Sequence, residues 1–578
     1  MLKHVIRSAL VLCMLTAGVA QAQAQVAAPA VDAKLGFDAG SHISLQALSP
    51  IQVENLAIAA KVWGFLKYHH PAVRSGQHQW DFELFRVLPE LLAAKDRGGA
   101  DAVLQRWIAR LGPVADCNPC ASLNQQDYQS LPSLGWLNDT RLLSGALRND
   151  LNRIYRQRSG APTQHYVAIH PQLGKPVFDS EAEYKGIAFP DAGYQLLSLF
   201  RFWNIVEYWS PYRDQVGEDW NKVLRQSIAP VALAKDRAGY ERAMLALMAR
   251  VNDTHTNLWS SLHVQPPVGT CRLPVLLRFI EGRAAVLAYG DEEAGAASGL
   301  QRGDLIESMD GVPVTRLIDS WRPFYAASNE AARLRDIGAG MTKGSCGPST
   351  LTVRRDGELK EMVVPRVRSG NKRITHDRPG DTFQLIGDDI AYIKLSSIKR
   401  DDLAGYMERA AKTKGLVIDI RNYPSDFVPW ILGPYFIDKP TRFARFTHAD
   451  PVNPGAFKWM PEVELPLHPT GYSGKVMVLV DEMSQSRSEY TAMALRVGPR
   501  AKVIGSTTAG ADGDGTWIPL PGGLRSLLSG TGVFYPDKRP TQRIGIVPDI
   551  EVKPTIAGIR AGRDEVLDAA IAEIRRSD

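Results

Sequence analysis

The chain has 578 residues, of which 44% are apolar and 22% charged, with a formal net charge of +6. That length exceeds what one hydrophobic core holds and predicts roughly two to four domains. The composition is that of an ordinary globular protein, and so small a positive balance gives no electrostatic case for nucleic-acid binding.

The chain opens with Lys3, His4 and Arg7 ahead of an apolar run from Ala9 to Ala20, followed by Ala20-Gln21-Ala22 and Ala22-Gln23-Ala24 as small-x-small cleavage sites. Residues 1–24 read as a secretory signal peptide, and its removal lowers the net charge to +4. Cys13 lies inside the apolar run, which argues against a lipid anchor. No later stretch approaches the roughly 20 apolar residues that span a bilayer. The mature chain is expected to be periplasmic or secreted, without a membrane span.

Cys117, Cys120, Cys271 and Cys346 remain after cleavage, and an even number in an oxidising compartment predicts two disulfides. Sequence leaves the pairing open, but Cys117 and Cys120 are near enough to close locally, leaving Cys271 and Cys346 for each other. A redox C-x-x-C or half a zinc site is the alternative. Against it, no βαβ pattern surrounds the pair, and there is no second C-x-x-C and no H-x-x-x-H.

Residues 25–265 read as a mostly helical region with an internal duplication, the copies lying at about 50–120 and 190–260. Val62–Arg110 aligns without gaps to Phe202–Arg250, pairing Trp63 with Trp203, Tyr68 with Tyr208, Trp80 with Trp220, and one AKDR with another. These aromatics read as core packing. The second copy ends in Asn252-Asp253-Thr254-His255-Thr256, whereas the first ends without a histidine. Taken alone, His255 would be a hydrogen-bonded structural residue or a general base.

Residues 268–368 carry the candidate strands PVLLRFI and AAVLAYG, then Gly299-Leu300-Gln301-Arg302-Gly303-Asp304-Leu305-Ile306 and Asp310-Gly311. This G-L-x-x-G-D-x-I pattern resembles a PDZ domain, a β domain in which a groove takes a peptide as an added strand, with Gly299 and Leu300 as candidate peptide-binding residues. The bland alternative is a turn before an ordinary strand. Leu317–Ser345 is longer than a minimal PDZ connection and reads as an insertion.

Residues 375–578 read as an α/β core. Ile390–Leu395 and Leu416–Ile420 are predicted strands flanking a helix at Leu403–Thr413, and the apolar run Val476–Val480 enters Ser484, Ser486 and Ser488 before another helix. Serines between a strand's carboxyl end and a helix's amino end meet exposed N–H groups and the positive end of the helix dipole, which favour a developing oxyanion. Ser486-Arg487-Ser488-Glu489 equally fits an S-x-x-E capping box. The AGADGDG loop at Ala509–Gly515 lacks the terminal glutamate of an EF-hand, so neither a metal nor any other cofactor is expected.

Five stretches follow in an order that resembles the tail-specific, C-terminal-processing serine peptidases, and their tricorn-like branch in particular. They are DTHT at Asp253–Thr256, the PDZ-like segment, GLVIDIRNYP at Gly415–Pro424, the serine segment, and GIVPDIEV at Gly545–Val552. The resemblance implies a multidomain α/β protein with a crotonase-like peptidase core, and it makes the middle serine, Ser486, the nucleophile. It places one oxyanion donor at the Arg487 N–H and the other where the family has paired glycines, here Ser425 and Asp426, with Asp419 and Arg421 a structural pair. Where processing peptidases carry a catalytic lysine, this chain has Ala511, and Lys502 is misplaced, which favours a serine–histidine over a serine–lysine arrangement. In that scheme His255 is the base and Thr254 assists, while Gln542 stands where tricorn-like members have glutamate. Asp253 or Glu489 are the acids that could assist instead. The expected activity is acyl-enzyme cleavage of peptides or unfolded chains. The alternatives are a weak or inactive peptide- or ligand-binding protein of the same fold, and an esterase, which would lack the G-x-S-x-G elbow.

Overall fold

The computed structural model describes residues 36–368 and 378–576. The leader at 1–24 lies outside the described residues, as do 375–377 at the start of the last predicted unit. The chain is a multidomain protein of mixed helix and sheet.

Long helices dominate the first 250 residues: Pro50–His69, Trp80–Ala93, Arg97–Arg110, Gly145–Arg156, Ala192–Trp209, Trp220–Ala232 and Arg237–Ala249. Their starts are written in the sequence. Ser49 and Gln52 form a capping box with Pro50 at the first helical position, and Asp96, Asp191, Asp219 and Asp236 each accept a backbone N–H of the turn that follows. Pro50–His69 and Ala192–Trp209 cross so closely that a β-carbon on Gly64 would lie 1.9 Å from Asn204 Oδ1, while Asn204 Nδ2 donates to Ala60 O at 2.9 Å. Trp63 and Trp80 exchange indole-to-carbonyl hydrogen bonds of 3.3 and 3.0 Å, and Trp203 and Trp220 exchange bonds of 2.8 and 3.2 Å.

A buried ionic cluster joins these helices to the rest. Lys67 reaches Glu181 at 2.6 Å, and Arg201 reaches Glu181 at 2.9 Å and Asp81 at 2.6 Å. Arg201 also donates to Pro519 O at 2.9 Å, fastening the helices to the hairpin Gly515–Leu520/Leu524–Ser529.

The second unit is a six-stranded sheet whose main order is Glu358–Arg366, Gly347–Arg355, Leu305–Met309, Arg283–Tyr289, Val275–Ile280. The long connection predicted at 317–345 contains the helix Glu330–Met341, which packs on Val275–Ile280. The expectation for Leu300 is corrected here. Its side chain is fully buried in this unit's core, its N–H donates to Ser298 Oγ at 3.2 Å, and its carbonyl accepts from Tyr289 at 2.8 Å, so its backbone is not free to receive a peptide. Gly299 makes the turn before it at φ 74°.

The third unit is a six-stranded sheet in the order Phe383–Ile386, Ile390–Lys394, Gly415–Asp419, Lys475–Val480, Ala501–Gly505, Ile550–Glu551. The first pair is antiparallel and the others are parallel. Alternate residues serve opposite faces. Ile393, Leu416, Ile418 and Val478 pack with Leu403, Met407 and Met493, while Tyr392, Val417, Met477 and Leu479 pack with Val566, Leu567, Ala570 and Ile574. Both faces are dry, which explains the uninterrupted apolar runs read from the sequence. Arg421 pairs with Asp419 at 2.6 Å and Asp564 at 2.7 Å, tying the carboxyl edge of this sheet to the start of the Glu565–Arg575 helix.

Cys117 is bonded to Cys120 and Cys271 to Cys346, at sequence separations of 3 and 75. Because loop-closure entropy grows with the loop, replacing both Cys271 and Cys346 by serine should cost about 3–4 kcal/mol of unfolding free energy, against about 2 kcal/mol or less for the Cys117 and Cys120 pair. Urea unfolding of the two double variants checks this, and equal losses would contradict it.

Candidate active site

The strand Lys475–Val480 ends at the carboxyl edge of the parallel sheet, where open α/β sheets place their sites, and the chain turns into the helix Arg487–Arg496. The three serines of that turn differ in kind. Ser484 is fully buried, donating to Ile420 O at 2.9 Å and accepting from Asp481 N at 3.2 Å. Ser488 is likewise buried inside the helix. Ser486 alone of the three is partly exposed, and it sits at φ 55°, ψ −113°. A residue that merely caps a helix has extended dihedrals. A β-carbon at positive φ costs about 1–2 kcal/mol, so Ser486 is held against its local preference.

Glu489 holds it there. Ser486 N–H donates to Glu489 Oε2 at 3.0 Å and to Ala511 O at 2.9 Å. The same carboxylate accepts from Thr508 Oγ1 at 2.5 Å, Gly510 N at 2.7 Å and Ala511 N at 3.0 Å. Burial pushes the Glu489 carboxyl up, and burial together with Glu489's own charge pushes neighbouring Asp512 well up. Glu489 collects four donors, whereas Asp512 has a bond from Gly513 N to Oδ1 and none at Oδ2. The upward push is the stronger on Asp512, which has fewer donors to hold its charge.

At the start of the helix the Arg487 N–H has no intrachain acceptor among the described residues, as expected of a first-turn donor. Of the other predicted donors, Ser425 is corrected, whereas the Asp426 N–H has no acceptor among the described residues. Ser425 N–H is bonded to Leu395 O at 2.9 Å and its hydroxyl to Ile398 O at 2.5 Å, because the 422–427 loop is stitched to the chain leaving the Ile390–Lys394 strand. Asp426 turns its carboxylate to the backbone N–H groups of Arg400 at 3.0 Å and Phe427 at 2.7 Å. The Arg487 guanidinium lies over Tyr423 and donates to Pro424 O at 3.2 Å, closing that loop over the helix start.

The second unit grips the serine turn from the other side. Arg278 pairs with Asp481 at 2.9 Å and Glu482 at 2.7 Å, and Arg335 donates to Glu482 O at 2.8 Å and Gln485 Oε1 at 3.0 Å.

His255 follows the helix Arg237–Ala249 on a tight turn. Its Nδ1 lies 2.9 Å from Ser529 Oγ and 3.6 Å from Asp253 Oδ1, its own N–H donates to Asp253 Oδ1 at 3.0 Å, and its carbonyl accepts from Trp259 Nε1 at 2.9 Å. Burial alone would push the Asp253 carboxyl up, but His255 and the N–H of Ser529 outweigh it and hold it down at about 2.

Thr254 and Gln542 do not reach the imidazole. Thr254 Oγ1 donates to Ser328 Oγ at 3.1 Å and accepts from Ser328 N at 2.8 Å, and Gln542 Nε2 meets the same Ser328 hydroxyl at 3.4 Å. Asn329 next door donates to Thr508 O at 2.8 Å. One polar network thus runs from the His255 turn through Ser328 and Asn329 to Thr508, Glu489 and Ser486, although no hydrogen bond joins Ser486 to His255 among the described residues. Apo sites commonly tighten such contacts only when substrate binds.

Sequence reasoning missed Ser328, Asn329 and Ser529. Asn329 carries a visible signal, since it caps the Glu330–Met341 helix, but Ser529 ends an unremarkable strand 274 residues from its partner. The Ala511 carbonyl accepts from the Ser486 N–H, and Lys502 pairs with Glu573 at 2.7 Å. Asp514, in the glycine-rich loop, pairs with Lys175, and no group of three or more His, Cys, Asp or Glu among the described residues is arranged to hold a metal.

Among known proteins, residues 437–552 match the family model of peptidase family S41. A point mutant of CPAF is 15% identical, with a TM-score of 0.53, covering 67% of this chain and 98% of its own. Mature CPAF complexed with lactacystin is 15% identical, with a TM-score of 0.50, covering 66% and 99%. The photosystem II D1 C-terminal processing protease is 17% identical, covering 62% and 92% with a TM-score of 0.37. No curated protein matches the chain. At such identities the CPAF structures speak for the fold, while the match at 437–552 spans the serine turn itself: this chain carries a peptidase domain of family S41, the serine-type hydrolases that include the tail-specific, C-terminal-processing proteases.

Proposed function

We propose that the chain is a secreted or periplasmic serine endopeptidase of the serine–histidine type, acting on peptides or unfolded protein chains. The observation that carries this reading is the strained backbone of Ser486 at the head of a helix beside the unoccupied Arg487 N–H. His255 Nε2 takes the Ser486 hydroxyl proton as Oγ attacks the scissile carbonyl, and the Arg487 N–H receives the oxyanion. His255⁺ then returns the proton to the departing amine, and water, deprotonated by the same imidazole, releases the acyl group. Ala511 leaves the processing-type lysine position without an amine, which favours histidine as the base. The helical region reads as a duplication, supported by the reciprocal Trp63–Trp80 and Trp203–Trp220 bonds, and residues 268–368 as a PDZ-like unit. A weakly active peptide-binding protein is the second reading, favoured by the Ser425 N–H being bonded to Leu395 O.

Intact-mass analysis after fluorophosphonate treatment tests the nucleophile. One adduct on the wild type and none on Ser486→Ala is expected, and His255→Ala should label at least about 100-fold more slowly. Absence of any adduct on folded wild type favours the binding protein.

Ser486→Gly should be inactive yet unfold at higher denaturant than Ser486→Ala, by about 1 kcal/mol, because glycine accepts a positive φ without strain. Asp512, with its pKa raised, contributes stability that is full below the ordinary carboxyl range and is lost as pH rises. Asp512→Asn should therefore match the wild type near pH ~4 and exceed it at neutral pH and above, as read by thermal unfolding across pH.

A further inference from the structure

We propose that Asp253 and Ser529 are the positioning pair of His255, setting the tautomer that makes its Nε2 a base, in place of the Thr254–Gln542 side of the site. This rests on the reading of Ser486 and His255 as nucleophile and base.

The argument begins with what a serine hydroxyl cannot decide. Ser529 Oγ, 2.9 Å from His255 Nδ1, can donate to that nitrogen or accept from it. If it donates, the ring carries its proton on Nε2 and cannot take one from Ser486. A negative charge nearby breaks this tie. Asp253 Oδ1 lies 3.6 Å from the same Nδ1, inside a buried pocket where the charge is poorly screened, so the proton is favoured on Nδ1 and the Nε2 lone pair is left open. No hydrogen bond engages Nε2 among the described residues, the ring's contacts with Ser529 and Asp253 both being at Nδ1.

The carboxylate is built to stay charged and in place. Asp253 is 3% exposed and accepts from the backbone N–H of Ser529 at 2.9 Å and of His255 at 3.0 Å, and from Thr256 Oγ1 at 3.4 Å. Ser529 thus serves twice, its backbone N–H fixing the acid and its hydroxyl fixing the ring. Its own position is set by the hairpin that Arg201 fastens to the helices. When Nε2 takes the Ser486 proton, Nδ1 keeps its own, the ring becomes cationic, and Asp253 stabilises that charge; the same Nε2 proton then goes to the leaving amine. The groups that face His255 are Asp253 from its own turn, Ser529 from the hairpin, and Trp259 at its carbonyl.

Gln542 has no part in this arrangement. It is 1% exposed, its Nε2 meets Ser328, and its Oε1 has no hydrogen-bond partner among the described residues. A neutral amide there is compatible with activity because the charge that matters comes from Asp253.

The test uses the full mature chain with selective ¹⁵N-histidine labelling, His255 being assigned from the spectrum of His255→Ala, and kinetics with a fluorophosphonate and unfolded casein. Wild type is expected to show His255 protonated on Nδ1. Ser529→Ala should shift it toward the Nε2–H tautomer, lower kcat about tenfold or more with KM within about twofold, and displace the acid limb of the pH profile. Ser529→Thr should restore most of the rate, and Asp253→Asn should give the larger loss. Gln542→Glu should bring no gain. An Nε2–H tautomer in wild type, an unchanged spectrum and pH profile in folded Ser529→Ala, or a tenfold gain from Gln542→Glu would each overturn the proposal. A normal rate in His255→Ala would instead remove the base assignment on which it rests, and the spectra distinguish the two failures.

Discussion

A buried carboxylate decides whether this site exists. Glu489 begins as the acid of an S-x-x-E capping pattern, but in the folded chain it gathers donors from its own helix start and from the Thr508–Ala511 loop. Those bonds offset the cost of burying it and keep Ser486 in a backbone conformation that serine avoids. Without them the turn would relax toward an ordinary cap, and the hydroxyl would lose its alignment with the helix's free N–H groups. Burial and the Glu489 charge push the neighbouring Asp512 carboxyl well up, which eases the burial of two acids side by side.

Around that turn, three units are locked together largely by arginine. Arg201 ties the helices to the hairpin that ends in Ser529, Arg278 and Arg335 tie the second unit to Asp481–Gln485, and Arg421 ties the sheet edge to the last helix. The planar fork suits these roles: each guanidinium pairs with a carboxylate, and those of Arg201 and Arg335 reach backbone carbonyls as well. The consequence is that the His255 and Ser486 turns, carried by different units, are joined by one continuous polar network rather than by a hydrogen bond between the two residues among those described.

Much of the fold was legible because it is locally encoded. The apolar runs at Ile390–Leu395, Leu416–Ile420 and Val476–Val480 announce strands covered on both faces. Ser486 could be singled out as the middle of three serines, although only its dihedrals and exposure separate it from buried Ser484 and Ser488. The N–H groups of Ser425 and Leu300 show where a motif stops being informative, since it does not say which backbone donors the surrounding loop already uses.

What the amino-acid sequence determined by itself, then, is the element pattern, the parallel core, the serine turn and the histidine of the Asp253–Thr256 stretch, since each depends on periodicity, capping or residue type within a short window. The partners of those residues were decided only by tertiary structure. Ser529 meets His255 across 274 positions, Ser328 draws Thr254 and Gln542 away from the imidazole, and Glu489 closes on a loop about 20 residues further along. Orientation of the His255 ring depends on contacts of that kind, formed between units whose packing no local pattern specifies.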